Sequence, residues 1–231
     1  VGLDFNKNNL INERKGAIKR ILDMKNTKDH PLLDNIVLIW GDCSKNIAQS
    51  DAGIDSLNKF YIDVLWGNVI NRKHIERLSS NKIKRLRGIC REKFDILSAQ
   101  FSLHYFFKNL GTLQEFFLNV SENLKVGGSF IATCFDGRKV FKMLNDISYV
   151  ERKDTNGKLL WRIDKKYNHN SLPKTDKCLG MAIDAYVETF SNSFEEYLIN
   201  IDYLRDFVEG YGLEISSIRP FEEYYKELDN S

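Results

Sequence analysis

Residues 94–106 read Phe-Asp-Ile-Leu-Ser-Ala-Gln-Phe-Ser-Leu-His-Tyr-Phe, and this segment decides the fold. Phe94 to Ala99 is an apolar run with the length of a buried strand. Gln100, Phe101, His104 and Tyr105 follow at once, so polar and aromatic side chains gather where that strand ends. In open α/β sheets, ligands bind beyond the carboxyl ends of the strands. Two aromatics, an imidazole and an amide at such a point suit a flat, hydrogen-bonding ligand such as a nucleobase. The plain alternative is a strand-end loop whose aromatics belong to the core.

On either side of this segment, helical and strand patterns alternate. Val1 to Leu3 reads as the tail of a strand ending at Asp4. Asn8 to Lys25 carries apolar residues at helical spacing, and Asn35 to Asp42 is a β-branched run closed by Gly41. A helix is expected around Asn58 to Leu65. Thr112 to Leu124 reads as an amphipathic helix with Thr112 as cap, stopped by Lys125-Val126-Gly127-Gly128. Ser129 to Cys134 is the next strand and Arg138 to Leu144 the next helix. This βαβ rhythm predicts an α/β fold with a mostly parallel sheet covered by helices on both faces. Farther on, strands are expected at Lys158 to Tyr167 and Met181 to Thr189. A helix from Phe194 to Gly210 and a strand from Leu213 to Ile218 complete the pattern. No repeat or flexible linker divides the chain, so residues 1–231 read as one domain.

The chain has 231 residues, enough for one large α/β core, and a formal charge of only +2. That balance singles out neither an acidic nor a basic partner. Cys43, Cys90, Cys134 and Cys178 are scattered without ligand spacing, which argues against a metal site or disulfide framework and for a reducing, intracellular setting. No apolar run approaches the roughly 18 residues of a membrane span. The N-terminus lacks the basic start and apolar core of a signal peptide. The sequon Asn119-Val120-Ser121 falls in a helical pattern and reads as chance.

One segment does carry a local charge. Between Asn68 and Lys93, nine positive residues (Arg72, Lys73, Arg77, Lys82, Lys84, Arg85, Arg87, Arg91 and Lys93) face only Glu76 and Glu92. Such a run attracts phosphate chains. The competing reading is a solvated face, since no aromatic interleaves the charges.

Order strengthens signals that are weak singly. Asp4 closes one strand, Gly41-Asp42-Cys43-Ser44-Lys45 follows another, and Gln100 ends a third. An acid at an early strand end typically accepts from ribose hydroxyls. With Gln100-Phe101-Ser102-Leu103-His104-Tyr105 and Leu124-Lys125-Val126-Gly127-Gly128, the chain resembles the class I S-adenosylmethionine-dependent methyltransferases. More narrowly, it resembles the eukaryotic and viral mRNA cap guanine-N7 methyltransferases. Glu196-Tyr197-Leu198 and Phe221-Glu222-Glu223-Tyr224-Tyr225 match two later segments of that family.

The resemblance implies a Rossmann-like fold, S-adenosyl-L-methionine as methyl donor and the guanosine cap of 5′-capped RNA as acceptor. It implies that Asp4 holds the adenosine ribose, Asp42 and Cys43 the adenine side, and Gln100 the methionine portion. Phe101 would stack on the guanine, with His104 and Tyr105 positioning its O6 edge. Glu196 would accept from its N1–H and amine, and Tyr225 would close the pocket. No general base is implied, because guanine N7 has a lone pair and no proton to lose.

The chain departs from the family pattern in three ways. The first strand and Gly-rich loop are absent, so the chain reads as N-terminally incomplete. The stretch before Phe94 is long and basic. Ile183, with Tyr186 three residues on, stands where the family often has an aromatic cap contact. The longer connection and Thr133-Cys134-Phe135-Asp136-Gly137 after the strand look closer to the large-DNA-virus capping enzymes, where the methyltransferase is the C-terminal domain. That likeness implies upstream triphosphatase and guanylyltransferase domains, or a stimulatory subunit, and action in the nucleus if cellular, in host cytoplasm or virion if viral. Two alternatives stay open: another class I RNA or small-molecule methyltransferase, and a non-catalytic module of a capping complex.

Overall fold

A computed structural model describes residues 1–27, 35–68, 71, 81–189 and 192–229, with the side chains of 25–27, 82 and 83 left out. β1 (Gly2–Asp4) pairs in parallel with β2 (Leu38–Trp40), setting Asp4 beside Trp40. Between them lie α1 (Lys7–Ile11) and α2 (Ala17–Thr27). The sequence pattern suggested one helix here. Asn12 breaks it, because its side-chain oxygen accepts from the amides of Arg14 and Lys15 and turns the chain. The assigned β2 is shorter than Asn35–Asp42 because β1 offers only three residues to pair with.

α3 (Ser56–Trp66) starts at Asp55, whose carboxylate accepts from the Asn58 amide, and ends at Gly67 in the left-handed conformation. After α4 (Asn81–Arg85) and a 3₁₀ turn at Ile89–Glu92 comes β3 (Phe94–Gln100). It is parallel to β4 (Leu124–Thr133), with Gln100 opposite Thr133. The crossover runs through α5 (Leu103–Phe106) and α6 (Leu110–Asn123). The cap of α6 is Asn109 rather than Thr112; the two form a reciprocal capping box. Lys125–Gly128 belongs to β4, as an irregular stretch between the Phe94–Leu124 and Ile96–Ser129 pairings, rather than to a helix stop.

The second half is antiparallel. α7 (Gly137–Met143) leads into a meander of β5 (Tyr149–Lys153), β6 (Leu159–Lys165), β7 (Ala182–Val187) and β8 (Asn192–Tyr197), in that order across the sheet. The expected helix from Phe194 to Gly210 is therefore corrected: its first part is β8, and only α8 (Ile201–Glu209) is helical. Pairing with β7 holds the strand. Asn200 starts the helix by accepting from the amides of Asp202 and Tyr203. Leu213–Ile218 forms no strand; Leu213 and Ile215 instead pack on the core from an irregular segment. α9 (Phe221–Asp229) closes the described chain with no buried residue.

The main core joins β3, α5, α6, β8 and α8 through Ala99, Leu103, Phe117, Val120, Tyr197 and Leu204. A second core packs α3 against β2, and a third packs α7 on the antiparallel sheet. The architecture is mixed α/β: two parallel pairs and one four-stranded antiparallel sheet. Among the described residues, no helix is long and apolar enough to cross a membrane.

Candidate active site

Gln100 ends β3 with its amide held between neighbours: Nε2 donates to Ser98 Oγ at 2.9 Å, and Oε1 accepts from Thr133 Oγ1 at 3.1 Å. The Phe101 amide donates to Thr133, to Oγ1 at 2.8 Å and to the carbonyl at 3.1 Å. Phe101 turns the chain at a φ of 49°, strained for a side chain of this size. Its ring is 58% exposed, with the Phe221 ring of α9 at 6.0 Å.

The next turn carries α5 onto β8. His104 is 3% exposed, and its Nε2 lies 3.5 Å from Glu196 Oε2. Both ring nitrogens and Glu196 Oε2 are buried without hydrogen-bond partners. Burial pushes the His104 imidazole down to about 4 and the Glu196 carboxyl up to about 7. The imidazole also packs against Tyr105 at 4.3 Å and stacks at 6.2 Å on Phe135. Burial raises the Tyr105 phenol, as do the charges of Glu196 and then Asp4. Tyr105 thus lies within electrostatic reach of both carboxylates.

The β1–β2 end is built just as locally. Asp4 accepts from the Asn6 amide at 2.8 Å and from Asn9 Nδ2. Asp42 accepts from the Ser44 amide and hydroxyl through one oxygen. Burial first, then Asp42 and Asp4, push the Cys43 thiol up to about 12. That thiol stays protonated at neutral pH and is no nucleophile.

Phe101, His104, Tyr105 and Glu196 therefore sit on the joint between β3, α5 and β8, and Asp4, Asp42 and Cys43 on the β1–β2 ends. Tyr225 stands apart, 69% exposed on α9. It is Phe221, at the start of the same motif, that reaches Phe101. Of the basic run, Arg72, Lys73 and Arg77 lie outside the described residues, as does the side chain of Lys82. Arg91 caps α3 by donating to the carbonyls of Trp66 and Gly67.

Sequence reasoning missed Asn119. Buried in α6, it donates to the carbonyls of Cys43 at 3.0 Å and Lys45 at 2.7 Å, and accepts from the Ile47 amide at 2.9 Å. It ties the Asp42–Cys43 turn to the crossover helix. Its appearance in a sequon was the only signal, and that signal pointed the wrong way. Among the described residues, no three of His, Cys, Asp and Glu gather as a metal site.

The fold and this arrangement define a mixed α/β protein with polar groups at the carboxyl ends of parallel strands and a buried acid–imidazole pair beside them. The chain belongs to the mRNA (guanine-N(7))-methyltransferase domain family, whose model matches residues 15–231. It is 30% identical to the mRNA cap guanine-N(7) methyltransferase of Saccharomyces cerevisiae over 140 residues, 59% of this chain and 32% of that protein. With the Schizosaccharomyces pombe enzyme of that name it shares 26% over 232 residues, 93% of this chain and 62% of that protein. The probable mRNA-capping enzyme of Acanthamoeba polyphaga mimivirus is 29% identical over 155 residues, 60% of this chain and 13% of that protein. The match thus spans about a third of the budding-yeast relative.

Proposed function

We propose that this chain is the methyl-transfer domain of an mRNA cap guanine-N7 methyltransferase, acting on the guanosine at the 5′ GpppN end of RNA. The observation that carries this reading is the unpartnered Glu196–His104 pair. Buried polar groups in native proteins are ordinarily hydrogen-bonded. A carboxylate oxygen and two ring nitrogens buried side by side without partners support a reading in which a ligand completes them.

Guanine meets those groups well. Its N1–H and exocyclic amine form a donor pair for an ionised Glu196. A neutral His104 has one N–H to offer O6. Phe101, already exposed, would stack on the base, where an aromatic face also suits a ring becoming cationic. Tyr105 would hold the base edge, and Tyr225 would close over the site by a movement of α9. N7 attacks through its lone pair, so alignment and a favourable field are what the protein must provide. Glu196 contributes to that field, since its negative charge is matched to the positive charge the purine acquires.

S-adenosylmethionine, when bound, supplies a methyl activated by its sulfonium. The residues at the strand ends fit this donor. Asp4 and Asp42 are acceptors on adjacent parallel strand ends, where hydroxyl and amino donors of an adenosine would be met. Asp4 would hold the ribose, Asp42 and the neutral Cys43 the adenine side, and Gln100 the methionine portion. The finer architecture belongs to the same proposal: one doubly wound sheet containing both parallel pairs. It is supported by their shared parallel sense and by Ile96 and Ile131, exposed on one face of β3–β4, because parallel sheets are ordinarily covered on both faces. A larger capping polypeptide carrying further domains is a proposal supported by the mimivirus relative, of which the match covers 13%.

The test is methyl transfer by the full-length protein from labelled S-adenosylmethionine to GpppA-RNA and ApppA-RNA. Transfer should require the terminal guanosine. Equal transfer to both RNAs would assign the chain to another RNA methyltransferase, and cap binding without transfer would make it a non-catalytic module.

A further inference from the structure

Phe101 is a ring displayed to solvent by a strained backbone. Its φ of 49° lies where a side chain of this size is rarely found, and more than half of the residue is exposed. Such strain persists only where the surrounding structure enforces it, and here two bonds from the Phe101 amide to Thr133 do so. Among the described residues, its ring neighbour is Phe221, the first residue of α9, with centroids 6.0 Å apart and planes tilted by 34°. Phe221 is itself 51% exposed. Two rings that met only to bury apolar surface would exclude water better than this.

The separation of the two rings is close to that of a slot for a base. A planar base between parallel rings needs about 7 Å from ring to ring, two layers of van der Waals contact. Widening the present gap by about 1 Å and levelling the tilt would make that slot. α9 can supply the movement. It buries no residue, so it shifts without opening a core. It also moves as a preformed unit: Arg219, just ahead of the helix, donates to Glu223 and Glu227 and lies 4.5 Å over the Tyr224 ring.

We propose that Phe221 is the second wall of the guanine site: the cap base enters between Phe101 and Phe221 and is held by stacking on both faces. The proposal rests on the cap-methyltransferase reading, which sets the guanine on Phe101, and adds to it a residue and a preference. Methylation at N7 turns a neutral purine into a cation. A cation between two aromatic faces is attracted by both, so the slot favours the methylated base over the unmethylated one. The same attraction acts on the charge that develops as the methyl is transferred, so Phe221 assists the transition state as well as binding.

The test measures, by calorimetry on the full-length protein, affinities for GpppA, m7GpppA and S-adenosylhomocysteine in the wild type and in Phe221→Ala, Phe221→Leu and Phe221→Tyr. The wild type should bind m7GpppA at least about fivefold more tightly than GpppA. Phe221→Ala should weaken GpppA binding by at least about fivefold and cut the preference for m7GpppA to less than about twofold. Phe221→Leu keeps apolar cover without a π face and should lose the same preference, whereas Phe221→Tyr should retain it. Affinity for S-adenosylhomocysteine should stay within about twofold in all three, since their site is separate. Unchanged or tighter cap binding in Phe221→Ala, an intact preference in Phe221→Leu, or a parallel loss of S-adenosylhomocysteine would overturn the proposal. Binding of neither dinucleotide by the wild type would overturn the cap reading and this proposal together, whereas cap binding indifferent to Phe221 overturns this proposal alone.

Discussion

His104 Nε2 and Glu196 Oε2 face each other at 3.5 Å without being an ion pair. Burial holds the imidazole down to about 4 and the carboxyl up to about 7, so at no pH are both substantially charged. The contact joins α5 to β8 through two buried groups that are never charged together and whose facing atoms have no hydrogen-bond partner.

This pair has opposed effects on stability. Between about pH 4.5 and 7, folded Glu196 keeps a proton that the unfolded chain releases, so its contribution falls as pH rises. Between about pH 4 and 6.5, the unfolded chain binds a proton that folded His104 does not, so its contribution rises with pH. Each slope amounts to roughly 3 kcal/mol over its window, and the two cancel where they overlap. Thermal melts should show Glu196→Gln gaining stability as pH climbs from 4 to 6.5, and His104→Gln losing it from 4.5 to 7. Identical pH profiles for the wild type and both variants would refute this account.

On the proposed function, Glu196 would meet the guanine N1–H and amine in its ionised form. The kcat/KM for capped RNA should therefore rise with pH through about 7, the value for the free protein. Glu196→Gln should lower kcat/KM by at least about 100-fold, because two hydrogen bonds to a charged acceptor are lost, and should flatten the rise. Calorimetric affinity for S-adenosylhomocysteine should stay within about twofold. An equal loss of both would mean that Glu196 supports the fold rather than the base.

These roles were unequally visible in the sequence. β3 was legible because an apolar run bounded by polar residues needs no distant partner to be recognised. Glu196 was singled out, but on the wrong element. Phe194, Tyr197, Leu198 and Ile201 imitate the spacing of a helix, and only long-range pairing with β7 makes the segment a strand. The alternation of side chains along a strand sets Glu196 on the same face as Phe194, which a helix would not do. The pairing of Phe221 with Phe101 was hidden for the same reason: ring contacts between distant segments leave no local periodicity.

Asn119 offers a test of how the Asp42–Cys43 turn is held. Asn119→Asp preserves the acceptor for the Ile47 amide but replaces the donor to Cys43 and Lys45 with a second oxygen. Two carbonyls would then face a buried carboxylate, a loss of about 2 kcal/mol or more. The variant should melt lower and bind S-adenosylhomocysteine at least about fivefold more weakly. Unchanged cofactor affinity in a destabilised protein would separate this turn from the donor site.

Gly137 is the point at which α7 meets the backbone just beyond β8. It begins α7 within the Asp136 cap and lies against the backbone of Ile199, two residues beyond β8. A Cβ there would collide with the Ile199 carbonyl oxygen and stand 2.7 Å from its amide nitrogen. Neither atom belongs to a flexible side chain, so α7 or the β8–α8 junction must move. Gly137→Ala should cost about 1–3 kcal/mol, a fall of roughly 2–10 °C in Tm for a chain of this size. Because Glu196 is three residues from the collision, KM for capped RNA should rise with affinity for S-adenosylhomocysteine unchanged. Gly111, where a Cβ would meet only the Asn109 side chain at 3.4 Å, provides the control: Gly111→Ala should leave KM unaltered. If both variants behave alike, packing at α7 does not position the acid.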